Sequence, residues 1–147
     1  MPVASSYRAS CPAVPTIWLT SLWIAVDTHR HLLRYGSQVV RPTWRLLSHW
    51  HKVLNREVFD SCLKSPILRT GVDTGDAAYF DTVEYTSRIR VTAEPMTKRM
   101  FLDLLVHEMV HQYQYETEQT VCHNKSFWAW RDKVHALGLN LRLVYDV

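Results

Sequence analysis

The chain has 147 residues, of which 47% are hydrophobic and 21% are charged. This length and composition predict one globular domain with a single hydrophobic core, and they exclude a wholly disordered, collagen-like or coiled-coil chain. The net charge is +3, but residues 1–70 carry nine Lys or Arg against three acids, whereas residues 71–147 carry eight against eleven. A basic first half favours nucleic acid or an acidic partner, although an ordinary solvated face has the same composition.

The three cysteines, Cys11, Cys62 and Cys122, are odd in number and widely spaced. They form no C-x-x-C pair, which excludes a four-cysteine zinc ribbon, and they predict no disulfide framework. We therefore expect a cytoplasmic protein in a reducing compartment. Residues 17–26 match the apolar part of a signal peptide in length, so secretion stays open as the alternative. No apolar run reaches about eighteen residues, so no membrane span is predicted.

The first half of the chain is predicted to be helical after an irregular start. Residues 1–15 contain three prolines among small residues, which is typical of an irregular tail. Residues 16–35 predict a helix that ends at Gly36. Residues 43–59 predict a second helix, because apolar side chains recur there every three or four positions. This face consists of Trp44, Leu47, His51, Leu54 and Val58.

The middle of the chain has a different pattern. Residues 67–70, 78–83 and 88–92 are short segments rich in β-branched or aromatic side chains, which is typical of strands. A cluster of Gly and Asp residues between the first two segments indicates a turn. The short connections predict a small three-stranded antiparallel sheet.

The last part of the chain returns to helical periodicity. Residues 95–116 begin with a proline, which suits the first turn of a helix, and continue as an apolar stripe. A polar loop over residues 117–124 and a helix over residues 127–137, closed by Gly138, are predicted to follow. The alternating leucines of residues 139–143 predict a last short strand.

The most informative motif lies in the third predicted helix. Residues His107-Glu108-Met109-Val110-His111 form the pattern H-E-x-x-H. Residues four apart lie on one helix face, so His107 and His111 can bind one zinc ion. Glu108 is one position round the helix, where it can take a proton from a zinc-bound water and pass it to a leaving amine. Two such histidines in an apolar stripe would be difficult to satisfy without a metal.

A zinc site of this type needs a third protein ligand. Gln114 and Thr117 stand where the metzincin pattern has Gly and His, which excludes that class. His123 is the preferred ligand because it follows a polar loop that can double back and directly precedes the next helix. His135 is the competing histidine, but we predict it to be a surface or half-buried residue. The acidic alternatives are Glu116, Glu118 and Asp132.

Several segments around the motif occur in a recognisable order. They are residues 54–59, 78–80, 88–91, 104–111 and 123–127. Together they resemble the SprT-like zinc metalloproteases over residues 51–137. The resemblance implies an α+β, zincin-like fold and a zinc-dependent endopeptidase. It also implies that His107, His111 and His123 bind the metal and that Glu108 is the catalytic base. We predict an N-terminal extension over residues 1–40 and a SprT-like metalloprotease domain over residues 41–147.

The resemblance has one departure near the third ligand. The family has Gly after that ligand, whereas this chain has Asn124, which tolerates unusual backbone angles. We predict hydrolysis of peptide bonds in flexible or unfolded proteins, DNA-associated ones included, with the extended substrate paired to an edge strand. The expected cofactor is Zn²⁺. The expected partners are a protein or peptide substrate and DNA on the basic N-terminal half, with no membrane, and we expect a monomer.

Alternative roles remain for some residues and for the whole chain. Tyr115 could donate to a developing oxyanion or could simply pack. Cys122 could be a fourth, site-closing zinc ligand or a small buried thiol. Trp44 and Trp50 could stack on single-stranded bases or belong to the core. The alternative functions are a non-catalytic, zinc-containing nucleic-acid-binding module and a non-peptidase zinc hydrolase.

Overall fold

A computed structural model of the chain describes residues 25–71 and 75–143. The predicted tail over residues 1–15 and the first part of the predicted first helix lie outside these ranges. The described part contains five helices: α1 (Ala25–Tyr35), α2 (Trp44–Phe59), α3 (Lys98–Glu118), α4 (Lys125–Trp128) and α5 (Arg131–Ala136). It contains five strands: β1 (Val39–Val40), β2 (Ile67–Thr70), β3 (Ala78–Val83), β4 (Thr86–Val91) and β5 (Met96–Thr97). The chain is therefore a mixed α and β protein, as predicted.

Helix α3 runs through the centre of the molecule. Every residue over 101–114 is buried, and the helix contacts β3, β4, α1, α2 and α4. A helix that is buried all round must find partners for each of its polar side chains. The prediction that this helix starts at Pro95 is wrong, because Met96 and Thr97 pair with β1 as strand β5. Thr97 instead caps the helix, and its hydroxyl accepts from the Met100 N–H at 3.2 Å.

The three-stranded sheet is present, but it is mixed rather than antiparallel. Its order is β2-β4-β3, with β4 antiparallel to β3 and parallel to β2. Strands β3 and β4 form a hairpin whose two turn residues, Glu84 and Tyr85, have φ of 47° and 65°, as a type I′ turn requires. The hairpin reverses the chain, so β4 runs opposite to β3 and in the same direction as β2. Because β4 lies between the other two strands, β3 is at an edge of the sheet.

Helices α1 and α2 cover the same core. Helix α2 confirms the prediction for residues 43–59, and the Thr43 hydroxyl caps it by accepting from the Leu46 N–H at 3.2 Å. Its predicted face is buried except for Trp44, which is 62% exposed at the first turn. Helix α1 ends at Gly36 as predicted, and its Leu32 joins the core. A domain boundary at residue 40 stays a prediction.

The C-terminal segment differs from its prediction. The predicted helix over residues 127–137 is two short helices, α4 and α5, and the described residues 139–143 form no strand. The segment is instead fixed to α3, where the Asp103 carboxylate accepts from the Asn140 N–H at 2.8 Å. Buried Leu139 and Leu141 account for the alternation. No helix in the described part of the chain is long and apolar enough to cross a membrane.

Candidate metal centre and cleft

The structure brings the three predicted histidines together. His107 and His111 lie one turn apart on α3, with ring centroids 4.9 Å apart and 6% of each residue exposed. His123 approaches from the loop between α3 and α4. Its Nε2 lies 3.0 Å from Nε2 of His107 and 3.2 Å from Nε2 of His111. We call these residues the three-histidine group.

The spacing of the group fits a small metal ion. Two nitrogens bound at about 2.0–2.1 Å to a tetrahedral centre are about 3.3 Å apart, close to the 3.0 Å and 3.2 Å separations here. The Nε2 proton of a neutral His123 could serve only one of its two neighbours. A cation would use the lone pairs of all three nitrogens. These residues could therefore hold a metal ion.

The tautomer of His111 is fixed by its neighbour Gln114. Nδ1 of His111 lies 2.9 Å from Oε1 of Gln114. Because an amide oxygen only accepts, Nδ1 carries the proton and Nε2 presents a lone pair to the group. The backbone of Arg142 lies near the His107 ring and acts to raise its pKa, against the larger effects of burial and of the neighbouring histidines.

The surroundings of the three-histidine group favour the neutral form of each imidazole, which is the form that binds metals. Burial and the two neighbouring histidines lower the pKa of His107 to about 3. Burial also lowers the pKa of His111 and that of His123. Neutral imidazole is the form that binds metals, so all three side chains are available as ligands at pH 7.

Glu108 lies beside the group on the same cleft. The residue is 6% exposed, and burial together with the Asp76 carboxylate raises its pKa to about 8. A bound cation would act in the opposite direction and favour the carboxylate. A buried carboxyl whose ionisation responds to a nearby charge is suited to accepting and returning a proton.

The cleft lies between the edge strand β3, α3 and the loop that carries His123. Its volume is about 720 Å³, and Asp76 and Glu108 are the acidic side chains among its lining residues. Val121 and Leu143 add apolar surface, being 46% and 58% exposed. Among the described residues β3 pairs only with β4, and Ala78, Tyr79 and Phe80 of this edge strand line the cleft.

The turn after His123 is built by Asn124 and Phe127. Asn124 has φ −89°, so no left-handed glycine conformation is needed there. Its side chain caps α4 by accepting from the N–H groups of Ser126 and Phe127 at 3.1 Å and 3.2 Å. Phe127 is fully buried, and its ring centroid lies 4.7–4.9 Å from those of all three histidines. The ring therefore closes the apolar side of the group.

Other residues considered from the sequence lie outside the three-histidine group. His135 is exposed and outside the group. Sγ of Cys122 lies 3.6 Å from the Thr120 hydroxyl, and it too is outside the group. Tyr115 packs against Phe80, with ring centroids 6.0 Å apart. Trp50 is buried against the rings of His31 and His49.

Gln114 is the site residue that sequence reasoning missed. In the sequence it is only a departure from the metzincin pattern, yet it is fully buried and contacts both His111 on α3 and Cys122 in the His123 loop. The available signal was a glutamine three positions after His111, on a helix with few solvent-facing positions.

Comparisons with family models and with curated proteins give no match for this chain. The resemblance to the SprT-like metalloproteases therefore stays a prediction based on the motifs. Independently of that resemblance, three histidines and a buried glutamate share one cleft beside an edge strand.

Proposed function

We propose that the protein is a zinc-dependent endopeptidase, in keeping with its resemblance to the SprT-like metalloproteases. The observation that supports this most strongly is the convergence of three imidazole Nε2 atoms beside Glu108 in an open cleft. Nitrogen ligands at tetrahedral spacing are typical of zinc, and three protein ligands leave a fourth position for chemistry. His107, His111 and His123 would hold the ion.

Glu108 is the proposed general base and acid. When bound, zinc would supply a Lewis acid that polarises the scissile carbonyl and acidifies the attacking water. The Glu108 carboxylate would take a proton from that water and later give it to the departing amine. Because Glu108 is buried, solvent screens its carboxylate less than it would screen an exposed one.

The open edge of β3 suggests what the substrate looks like. An extended peptide can add to an exposed strand edge through main-chain hydrogen bonds, which orient its carbonyls. Strand β3 borders the cleft and has an unpaired edge among the described residues. Such a cleft would bind the peptide backbone rather than particular side chains, so we propose flexible or unfolded protein segments as substrates.

A second function is favoured by a separate observation on α2. Apart from Trp44, the exposed positions on this helix form a basic stripe, and its acid, Glu57, is buried with Oε1 3.7 Å from Nη2 of Arg56. The basic stripe consists of Arg45, His49, Lys52 and Arg56, spaced along one face. A positive helix face next to exposed Trp44 suits a phosphate backbone with a stacked base. The alternative is thus a zinc-containing nucleic-acid-binding module without catalysis, and the same stripe could recruit DNA-associated substrates.

Mass spectrometry of reaction products separates these functions. The zinc-loaded chain is incubated with an unstructured protein such as casein, alone and with single-stranded DNA. Our proposal predicts new internal peptide termini that disappear with a chelator and return with added zinc. A zinc-loaded chain that binds DNA and produces no fragments would favour the binding module. Hydrolysis of small esters or amides without peptide fragments would favour a non-peptidase hydrolase.

A further inference from the structure

The side chain of Gln114 lies between α3 and the loop that carries His123. The residue is fully buried. A buried carboxamide has an oxygen acceptor and two N–H donors to satisfy, and leaving them unpaired is costly. The groups that pair with this carboxamide therefore identify the segments that Gln114 holds in place.

The carboxamide oxygen of Gln114 faces donors. It accepts from Nδ1 of His111 at 2.9 Å and from the N–H of Cys122 at 3.3 Å. The first of these bonds fixes the proton of His111 on Nδ1. The Nε2 lone pair is thereby directed at the position that a metal would occupy.

The carboxamide nitrogen of Gln114 faces acceptors on both sides of His123. It lies 2.9 Å from the Cys122 carbonyl oxygen, 3.1 Å from Oδ1 of Asn124 and 3.0 Å from the Ser126 hydroxyl. A reversed amide would place an oxygen against the Cys122 carbonyl oxygen and an NH₂ group against the Cys122 N–H. The neighbours therefore set the orientation of the amide.

We propose that Gln114 is the positioning residue of the three-histidine group. One end of its carboxamide sets the tautomer of His111, and the other end ties down the loop that brings His123 to the same point. The inference rests on the proposed function only in taking the group to bind zinc. It extends that function by coupling the order of the His123 loop to the geometry of the ligands on α3.

Zinc affinity measured by chelator competition tests the inference, with Gln112 as the matched control. Gln112 is also fully buried on α3, but its amide contacts His51, the Lys64 carbonyl oxygen and Glu116. Loss of an outer-shell partner costs about 10- to 100-fold in metal affinity. We expect Gln114→Leu to lose about 100-fold and Gln112→Leu to stay within about twofold of the native chain.

Gln114→Glu separates the two ends of the side chain. A carboxylate still accepts from Nδ1 of His111 but donates nothing to the loop, so we expect a loss of about 10-fold, with Gln112→Glu as its control. This variant also keeps the test valid if Gln114→Leu does not fold. Gln114 variants that match their Gln112 counterparts in zinc affinity would overturn the inference.

Nitrogen-15 NMR of the histidine rings adds a readout that needs no metal. In the chelated native chain His111 is expected as the Nδ1–H tautomer, retained in Gln114→Glu and mixed in Gln114→Leu. A mixed tautomer in the native chain would refute the inference. A native chain that binds zinc but cleaves nothing would refute the proposed peptidase, and the Gln114 affinities would still be decisive for the inference.

Discussion

Replacement of Asp103 by Asn tests the cost of burying an ionised carboxyl where the C-terminal segment meets α3. Asp103 is 3% exposed and lies one turn before His107. Its carboxylate accepts from the Asn140 N–H at 2.8 Å, and the segment continues through Arg142 to Leu143 at the cleft. The Asn side chain keeps the acceptor oxygen and removes the charge. The variant therefore isolates the cost of a buried ionised carboxyl.

Burial raises the pKa of Asp103 from 3.8 to about 6, even though the Asn140 N–H, Arg142 and Arg99 act to lower it. The folded protein thus keeps this proton to a higher pH than the unfolded chain does. The contribution of Asp103 to the free energy of unfolding must then fall as the pH rises from about 4 to about 6. At 1.36 kcal/mol per pH unit the loss is about 3 kcal/mol, complete above the folded pKa.

The assay is urea denaturation of the native chain and of Asp103→Asn, both chelated, at pH 4 and at pH 7.5. Comparing the two proteins at each pH cancels the titration of every other group. We expect Asp103→Asn to gain up to about 3 kcal/mol relative to the native chain between the two pH values. A stability difference that is independent of pH, or that favours Asp103 at pH 7.5, would refute this reasoning.

Further predictions concern the ligands and the basic stripe. His123→Ala should weaken zinc binding by more than about 100-fold, since losing an outer-shell partner alone can cost that much. The control His135→Ala, at an exposed position, should leave the zinc affinity measured by chelator competition unchanged. Equal affinities in these two variants would disprove the ligand assignment. Cys122→Ala should also bind zinc normally, and a thiolate absorption band in the cobalt-loaded native chain would contradict this. Arg45→Glu on the basic stripe should lower the affinity for single-stranded DNA. It should also flatten the salt dependence of binding, because each phosphate contact contributes about −0.7 to the slope of log K against log salt concentration. Arg69→Glu, exposed on β2, is its control; equal anisotropy titrations for the two variants would argue against the stripe.

The parts of the fold that depend on local patterns could be predicted from the sequence. The apolar periodicity of α2 and the cap at Thr43 give that helix its length. The hairpin of β3 and β4 is likewise a contact between neighbours in the chain. The parallel pairing of β2 with β4 is not local, and no residue pattern in the short strands distinguishes it from antiparallel pairing.

Other errors arose where tertiary contacts override a local preference. Pro95 suits a helix start, but pairing with β1 extends the next two residues and delays α3 until Lys98. The alternating leucines of the C-terminal segment suit a strand, but the hydrogen bond of Asn140 to Asp103 holds the segment against a helix. In each case a partner distant in sequence decides the outcome.

The candidate site, too, could be predicted from the sequence only where it depends on local structure. The spacing of His107 and His111 is a local property of a helix, so it could be deduced from the motif. The approach of His123 depends on contacts of Gln114 with residues eight to twelve positions later. Those contacts require knowledge of the folded loop, and the sequence alone indicates only that the loop is long enough.

Glu108→Gln tests the central claim most directly, with zinc content and casein cleavage measured on the same preparation. Glu94→Gln, an exposed carboxyl outside the lining of the cleft, is the control. The proposed mechanism predicts native zinc content in both variants, and cleavage that is abolished in Glu108→Gln and native in Glu94→Gln, because only Glu108 moves the proton. Native cleavage by Glu108→Gln, with zinc bound, would contradict the mechanism.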